Sequence, residues 1–168
     1  MSNIHYIRFA TIDDLPMIVE IYNQAIRSKS ATGDTDEFSV KERVEWFYKF
    51  SVNEYPIYIA EIENEIAGYA TLSPYRKGRK AMSKIAEISF YLEYSYHGLG
   101  IGSALVNHAI LDCTRINKET LIAVLLDINT NSVKLLKKLG FKEWGHFPNI
   151  INLETVKCGQ FVYGLNLG

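Results

Sequence analysis

Between Ala86 and Val106 the sequence passes from a strand-like run over 86–94, through glycines at 98, 100 and 102, into the start of a helix. This succession of strand, glycine-rich turn and helix constrains the chain more than any other feature. Glycine adopts backbone conformations closed to other residues and leaves no side chain between its amides and a ligand. The first N–H groups of a helix lack partners and lie at the positive end of its dipole, so the turn offers a seat for phosphate without help from lysine. A glycine-rich turn also serves simply to bend the chain, and the turn taken alone leaves both uses open.

The spacing separates three kinds of nucleotide loop. Walker A requires Gly, four residues and then Gly-Lys-Ser/Thr, and no lysine follows Gly102. The dinucleotide fingerprint G-x-G-x-x-G requires a glycine at 103 or 105, where the chain has Ser103 and Leu105. A third pattern, Gln/Arg-x-x-Gly-x-Gly/Ala after a strand, fits Gly100 and Gly102, with His97 standing in place of the Gln or Arg. Here the segment resembles the GNAT family of N-acetyltransferases, whose loop grips the pyrophosphate of acetyl-coenzyme A. The resemblance implies coenzyme contacts at Gly98, Leu99, Gly100, Ile101, Gly102 and Ser103.

A second signature follows the apolar run 121–126, where Asn129, Ser132, Leu135, Gly140 and Phe141 resemble that family's second coenzyme motif. Its local content is a polar cap, a short helix and a glycine stop. Helix capping alone explains either Asn129 or Asn131; the resemblance adds Asn129 as a coenzyme contact. Two motifs in the right order, about thirty residues apart, are far more specific than either one.

Composition narrows the alternatives. A chain of 168 residues, 48% hydrophobic, suffices for one domain with a sizeable core, expected over 1–168. A net charge of −1 provides no basic field for nucleic acid. Cys113 and Cys158 belong to no C-x-x-C pair and read as reduced thiols, and no metal is expected. The amino terminus lacks a basic start followed by an apolar core, and no apolar run approaches ~18 residues, so no membrane partner is expected and the reading is a cytoplasmic protein.

Periodicity predicts a strand over 4–9 and a helix from Thr11–Asp14 to about Arg27. Its stripe of Leu15, Ile18, Val19, Tyr22 and Ile26 reads as core. A polar loop over 30–38 follows, and Ser39 with Glu42 forms a capping box for a second helix. Strands are predicted over 56–61, 66–72, 85–94, 120–126, 142–145 and 161–165, with helices over 102–116 and 131–139. This order resembles that of the GNAT family over essentially the whole chain. It implies an α/β fold with a mixed sheet, helices on both faces and a splay between the fourth and fifth strands. The coenzyme's pantetheine arm would then bond the backbone of Phe90, Tyr91 and Leu92 along an exposed strand edge.

Within the family the chain is similar to the phosphinothricin and methionine sulfoximine acetyltransferases. The likeness rests on Ile21-Tyr22-Asn23, Asp34-Thr35-Asp36, Glu45-Trp46-Phe47, Arg79-x-Ala81, Ala86-Glu87-Ile88-Ser89 with Tyr91, and Trp144-Gly145-x-Phe147-Pro148. Met82 and Ile85 depart from that subgroup, as does the segment 150–160. The resemblance implies acetyl transfer from acetyl-coenzyme A to a small amino-acid-like amine by a homodimer. A polyamine or protein amine is the alternative acceptor within the fold, and a noncatalytic acyl-coenzyme A binding module is the alternative outside catalysis.

Glu87 is the candidate general base. It shares a strand face with Ser89 and Tyr91, opposite Ile88, Phe90 and Leu92. Four residues of strand span ~13 Å, so a water relay is needed to reach the acetyl group from Glu87. An ion pair with Lys84 or Arg79 is the structural alternative. The family's general-acid tyrosine corresponds to Leu136, which donates no proton; the thiolate is left to take a proton from the intermediate or from water. Arg76, Lys77, Arg79, Lys80 and Lys84 form either a solvated basic edge or, through Arg79 or Arg76, a seat for a substrate carboxylate. Ser89 completes the candidate substrate residues. Asp34 and Asp36 read as turn residues, or as neighbours of the substrate ammonium or of the other protomer.

Overall fold

The computed structural model describes residues 5–168. Alternation along the central strands directs side chains to two helical layers. On β2 (Ile57–Ile62) and β3 (Glu65–Pro74), Ile57, Ile59 and Tyr69 face Ile18 and Ile21 of α1 (Leu15–Ser28). Tyr58, Ala60, Ala70 and Leu72 point the other way, toward Ile101 and Leu105 of α3 (Ile101–Asp112). Helix α2 (Val40–Phe47) joins the α1 layer through Trp46 and Phe47, and α4 (Thr130–Lys138) places Leu136 in the α3 layer.

The remaining strands are β1 (His5–Phe9), β4 (Ile85–Leu92), β5 (Thr120–Leu126), β6 (Lys142–Asn152) and β7 (Lys157–Asn166). They form one sheet in the order β1-β2-β3-β4-β5-β7-β6. Strand β4 pairs with β3 as far as Leu92, but runs parallel to β5 only at Ile85–Thr120, Ala86–Leu121 and Glu87–Ile122. From Ala123 onward β5 pairs only with β7. The sheet therefore splays between its fourth and fifth strands as expected, and the β4 edge from Ile88 to Leu92 is left without a strand partner.

Element bounds agree best with the sequence where the signal is local. The predicted start of β1 at Ile4 lies outside the described residues. Strand β4 stops at Leu92 rather than Tyr94: the Glu93 amide still bonds Ala67 O at 2.9 Å in register with β3, but the Glu93 carboxylate accepts from Ser95 N and caps a turn there. Helix α3 ends at Asp112 instead of Ile116, where Lys118 N closes a turn onto Cys113 O at 2.8 Å. The largest correction concerns β6 and β7, which are far longer than 142–145 and 161–165. Pro148 and Asn149 look like breakers, yet a register shift between Phe147 and Ile151 accommodates them, with Asn149 at φ 55°. On an edge strand the missing proline N–H costs no ladder bond. Both cysteines are free and buried. Among the described residues no helix is long and apolar enough to cross a membrane.

Candidate active site

The splay opens into a cavity of about 580 Å³, walled by β4, the glycine turn, α4 and the end of α1. It brings together Phe90, Tyr91, Leu92, Gly98, Gly100, Gly102, Ser103 and Asn129. Of the predicted coenzyme residues, Ile101 is buried in the core and Leu99 points to solvent, so these two contribute to the turn through their backbones.

The turn leaves the start of α3 bare. Gly100 is its N-cap at φ 80°, a left-handed conformation suited to glycine, and no side chain caps the helix. The first intrahelical bond is Ala104 N to Gly100 O, 3.1 Å, so the amides of Ile101, Gly102 and Ser103 precede the hydrogen-bonded ladder. At Gly102 a Cβ would come within 2.8 Å of Leu135 Cδ1, so glycine lets α4 close on the turn. Asn129 caps α4 by accepting from Ser132 N at 3.3 Å and lines the same cavity. Bare helix-start amides beside an open strand edge fit a pyrophosphate with an extended arm.

Glu87 occupies the last position at which β4 and β5 are paired. Across β3, Ser73 lies opposite Glu87, Thr71 opposite Ser89 and Tyr69 opposite Tyr91, which makes a polar row on the α1 face of the sheet. Ser73 and Thr71 have no sequence motif; only the antiparallel register reveals them. Among the described residues Glu87 forms no ion pair, and Lys84, one of the two partners of the structural alternative, instead bonds Glu119 at 2.6 Å. Burial alone holds the Glu87 carboxyl above the usual glutamate range.

Above this row stands an aromatic wall. Tyr91 meets Tyr22 edge-on at 5.2 Å and Tyr69 at 5.6 Å. The Tyr22 hydroxyl bonds Thr32 at 2.8 Å and donates to Asp34; burial and the Asp34 bond push it up to about 12. Asn23 fastens the loop after α1 by donating to Phe38 O and accepting from Phe38 N, both at 2.9 Å. Tyr22 is thus more than a member of a core stripe.

Gln24 on α1 accepts from Tyr94 N at 2.9 Å and, with Ser28, lines the cleft. Sequence reasoning missed both, because the contact spans seventy residues and no local pattern marks it. Leu135, not Leu136, faces the cleft, and Leu136 is fully buried. Arg76 and Arg79 lie apart from the coenzyme cavity. They line a second one, of about 460 Å³, in the loop between β3 and β4, at the end of the sheet where β4 begins.

The acetyltransferase (GNAT) family model matches residues 16–141. The chain is 36% identical over 162 residues, 96% of this chain and 98% of the relative, to a protein of Bacillus subtilis that carries the provisional name phosphinothricin acetyltransferase YwnH. It is 27% identical over 156 residues to the L-methionine sulfoximine/L-methionine sulfone acetyltransferase of Salmonella typhimurium, covering 93% and 88% of the two chains. The crystal structure of a GNAT superfamily phosphinothricin acetyltransferase from Sinorhizobium meliloti in complex with AcCoA superposes with a TM-score of 0.92 at 29% identity, over all of this chain and 90% of that one.

Proposed function

The chain belongs to the acetyltransferase (GNAT) family, and from that membership we propose that it transfers acetyl from acetyl-coenzyme A to the amino group of a small amino-acid-like acceptor of the phosphinothricin or methionine sulfoximine type. Family and fold make it an N-acetyltransferase; the names of its relatives support the acceptor class. One observation carries the reading most: the half-buried carboxylate of Glu87, which forms no ion pair among the described residues, stands at the last paired position of β4 and β5, where the sheet opens toward the cleft.

When bound, acetyl-coenzyme A supplies a thioester carbonyl open to attack by a neutral amine. The amides of Ile101, Gly102 and Ser103 hold its pyrophosphate, and the free edge of Phe90, Tyr91 and Leu92 holds its pantetheine arm, with Asn129 on the opposite wall. Glu87 removes the proton of the acceptor ammonium through water, because the strand spacing sets it too far from Tyr91 for direct contact. Burial raises its proton affinity above that of an ordinary glutamate, which makes it a stronger base than an exposed carboxylate. Ser89 helps to position the acceptor. The basic loop with Arg76 and Arg79 draws an anionic acceptor toward the Glu87 end of β4. The chain works as a homodimer, a reading that the exposed Trp144, Phe147 and Ile150 of edge strand β6 support.

The test is thiol release from acetyl-coenzyme A with phosphinothricin, methionine sulfoximine, methionine sulfone, polyamines and a lysine peptide as acceptors. Turnover confined to the amino acids, with kcat reduced ~10²-fold or more in Glu87→Gln, is the expected result. Coenzyme binding without turnover of any acceptor points to a binding module and overturns the proposal.

A further inference from the structure

A guanidinium held by aromatic rings and by no oxygen acceptor keeps its N–H donors free. On α2, the Arg43 guanidinium carbon lies 4.1 Å from the centre of the Trp46 ring, 4.8 Å from that of Phe38 and 5.4 Å from that of Tyr22. These contacts lie over the ring faces and engage the positive charge; they consume none of the oxygen acceptors that the five guanidinium N–H donors can serve. Arg8, Arg27 and Arg115 each direct such donors at carboxylates. Among the described residues, Arg43 forms no ion pair and no side-chain hydrogen bond, although it is half-buried.

Its position gives the free donors a use. Tyr22, one of the rings Arg43 covers, packs against Tyr91, and Tyr91 borders the coenzyme cleft on the face that carries Glu87 and Ser89. Burial pushes the Tyr91 hydroxyl above the usual tyrosine range, and the Arg43 charge works against that rise. A cation that is held by three rings, has no counter-ion among the described residues and covers the Tyr22 ring that packs against Tyr91 of the acceptor row is preorganised for a planar anion.

We propose that Arg43 is the residue that selects acceptors by their carboxylate, gripping it through paired N–H bonds while Trp46, Phe38 and Tyr22 hold the guanidinium in place. This rests on the amino-acid acceptor reading above. It also divides the labour among the arginines: the exposed Arg76 and Arg79 attract, and the caged Arg43 discriminates.

The experiment compares methionine sulfone with 3-(methylsulfonyl)propylamine, the same acceptor without its carboxylate, on the wild type, Arg43→Lys, Arg43→Ala and Arg79→Ala. Arg43→Lys keeps the charge and tests the planar fork; a thermal midpoint close to wild type shows that each variant is folded. The expected result is a KM for methionine sulfone raised about tenfold or more in both Arg43 variants, kcat changed by less than about threefold, and the KM for the amine unchanged. Equal losses for the two acceptors make Arg43 a scaffold residue and overturn the proposal, as does no loss at all. A carboxylate-selective loss in Arg79→Ala alone also overturns it, by moving the carboxylate to the β3–β4 loop. A wild type that acetylates polyamines or the lysine peptide but not methionine sulfone defeats the acceptor reading itself, and this proposal with it.

Discussion

Helices α2 and α3 both start from extended or turning chain, but they treat their unpartnered N–H groups in opposite ways. At α2 the Ser39 hydroxyl accepts from Glu42 N at 3.3 Å, and the Glu42 carboxylate accepts from Ser39 N at 2.6 Å. That reciprocal box satisfies the helix start from within. At α3 a left-handed glycine occupies the cap, and no side chain reaches the amides. Two glutamates show the same divide. Backbone and hydroxyl bonds from Ser39 hold Glu42 below its usual range, whereas burial without a partner holds Glu87 above its own. A start or a carboxylate that the chain satisfies for itself serves the fold; one left wanting in a cleft is available to a ligand.

The sharpest way to break this contrast is to give α3 an internal anion. Gly100→Asp places a carboxylate at the bare helix start, at a position whose left-handed backbone aspartate tolerates better than most residues. The KM for acetyl-coenzyme A is expected to rise ~100-fold, through lost charge-assisted bonds and like-charge repulsion, with a thermal midpoint only a few degrees lower. If steady-state kinetics show less than a tenfold change, the glycine turn is a bend and no anion seat.

Next in size is the pH response. The acid limb of acceptor kcat/KM should centre above the ordinary glutamate value of ~4.3, fall about tenfold per pH unit below that centre, and lose the Glu87 step in Glu87→Gln. Stability should move with the opposite sign at the two glutamates. Glu87, with its folded affinity raised, favours the fold at low pH, and that contribution is lost as pH rises through its folded pKa. Glu87→Gln should therefore melt higher than wild type at neutral pH, with the gap closing on acidification. Glu42, with its folded affinity lowered, stabilises above its unfolded pKa and stops doing so as pH falls through the folded one. A neutral-pH melting gain that is absent in Glu87→Gln would remove burial as the cause of the shift.

Asn129 lies between the two cases, because it caps α4 and also faces the cleft. Asn129→Ala should cost about 1 kcal/mol, or ~2–4 °C in Tm, and raise the acetyl-coenzyme A KM about three- to tenfold. A purely structural cap would show the first effect and not the second.

How far the sequence revealed this site follows the range of each interaction. The capping box, the glycine turn, the Asn129 cap and β5 are written in residues a few positions apart, and each was legible. The course of β6 was not, because Pro148 and Asn149 are breakers in isolation and only the open side of an edge strand makes them harmless. The structural alternative for Glu87, an ion pair with Lys84, fails for a similar reason: Lys84 bonds Glu119, 35 residues on, where β4 and β5 converge. Gln24 and Ser28 were hidden among the polar positions of an amphipathic helix, and Arg43 among the charges of another. Their roles arise from contacts with distant segments, and spacing along one helix does not encode those.

The smallest expected effect is the control that gives the others their meaning. Ser39→Ala removes the hydroxyl that caps α2 but leaves the Glu42 carboxylate on Ser39 N as a backbone contact, so the box is halved rather than erased. The loss should be about 1 kcal/mol or less, at most a few degrees in Tm. Ser39 does not line the coenzyme cleft, so the acetyl-coenzyme A KM should stay within about twofold of wild type. Because α2 carries Arg43 and Trp46, the same variant also reports whether small frays in this helix reach the acceptor. If acceptor KM rises while acetyl-coenzyme A KM does not, the α2 cap positions the aromatic wall and is not a purely structural start, and the division between the two helix starts narrows to their N–H groups alone.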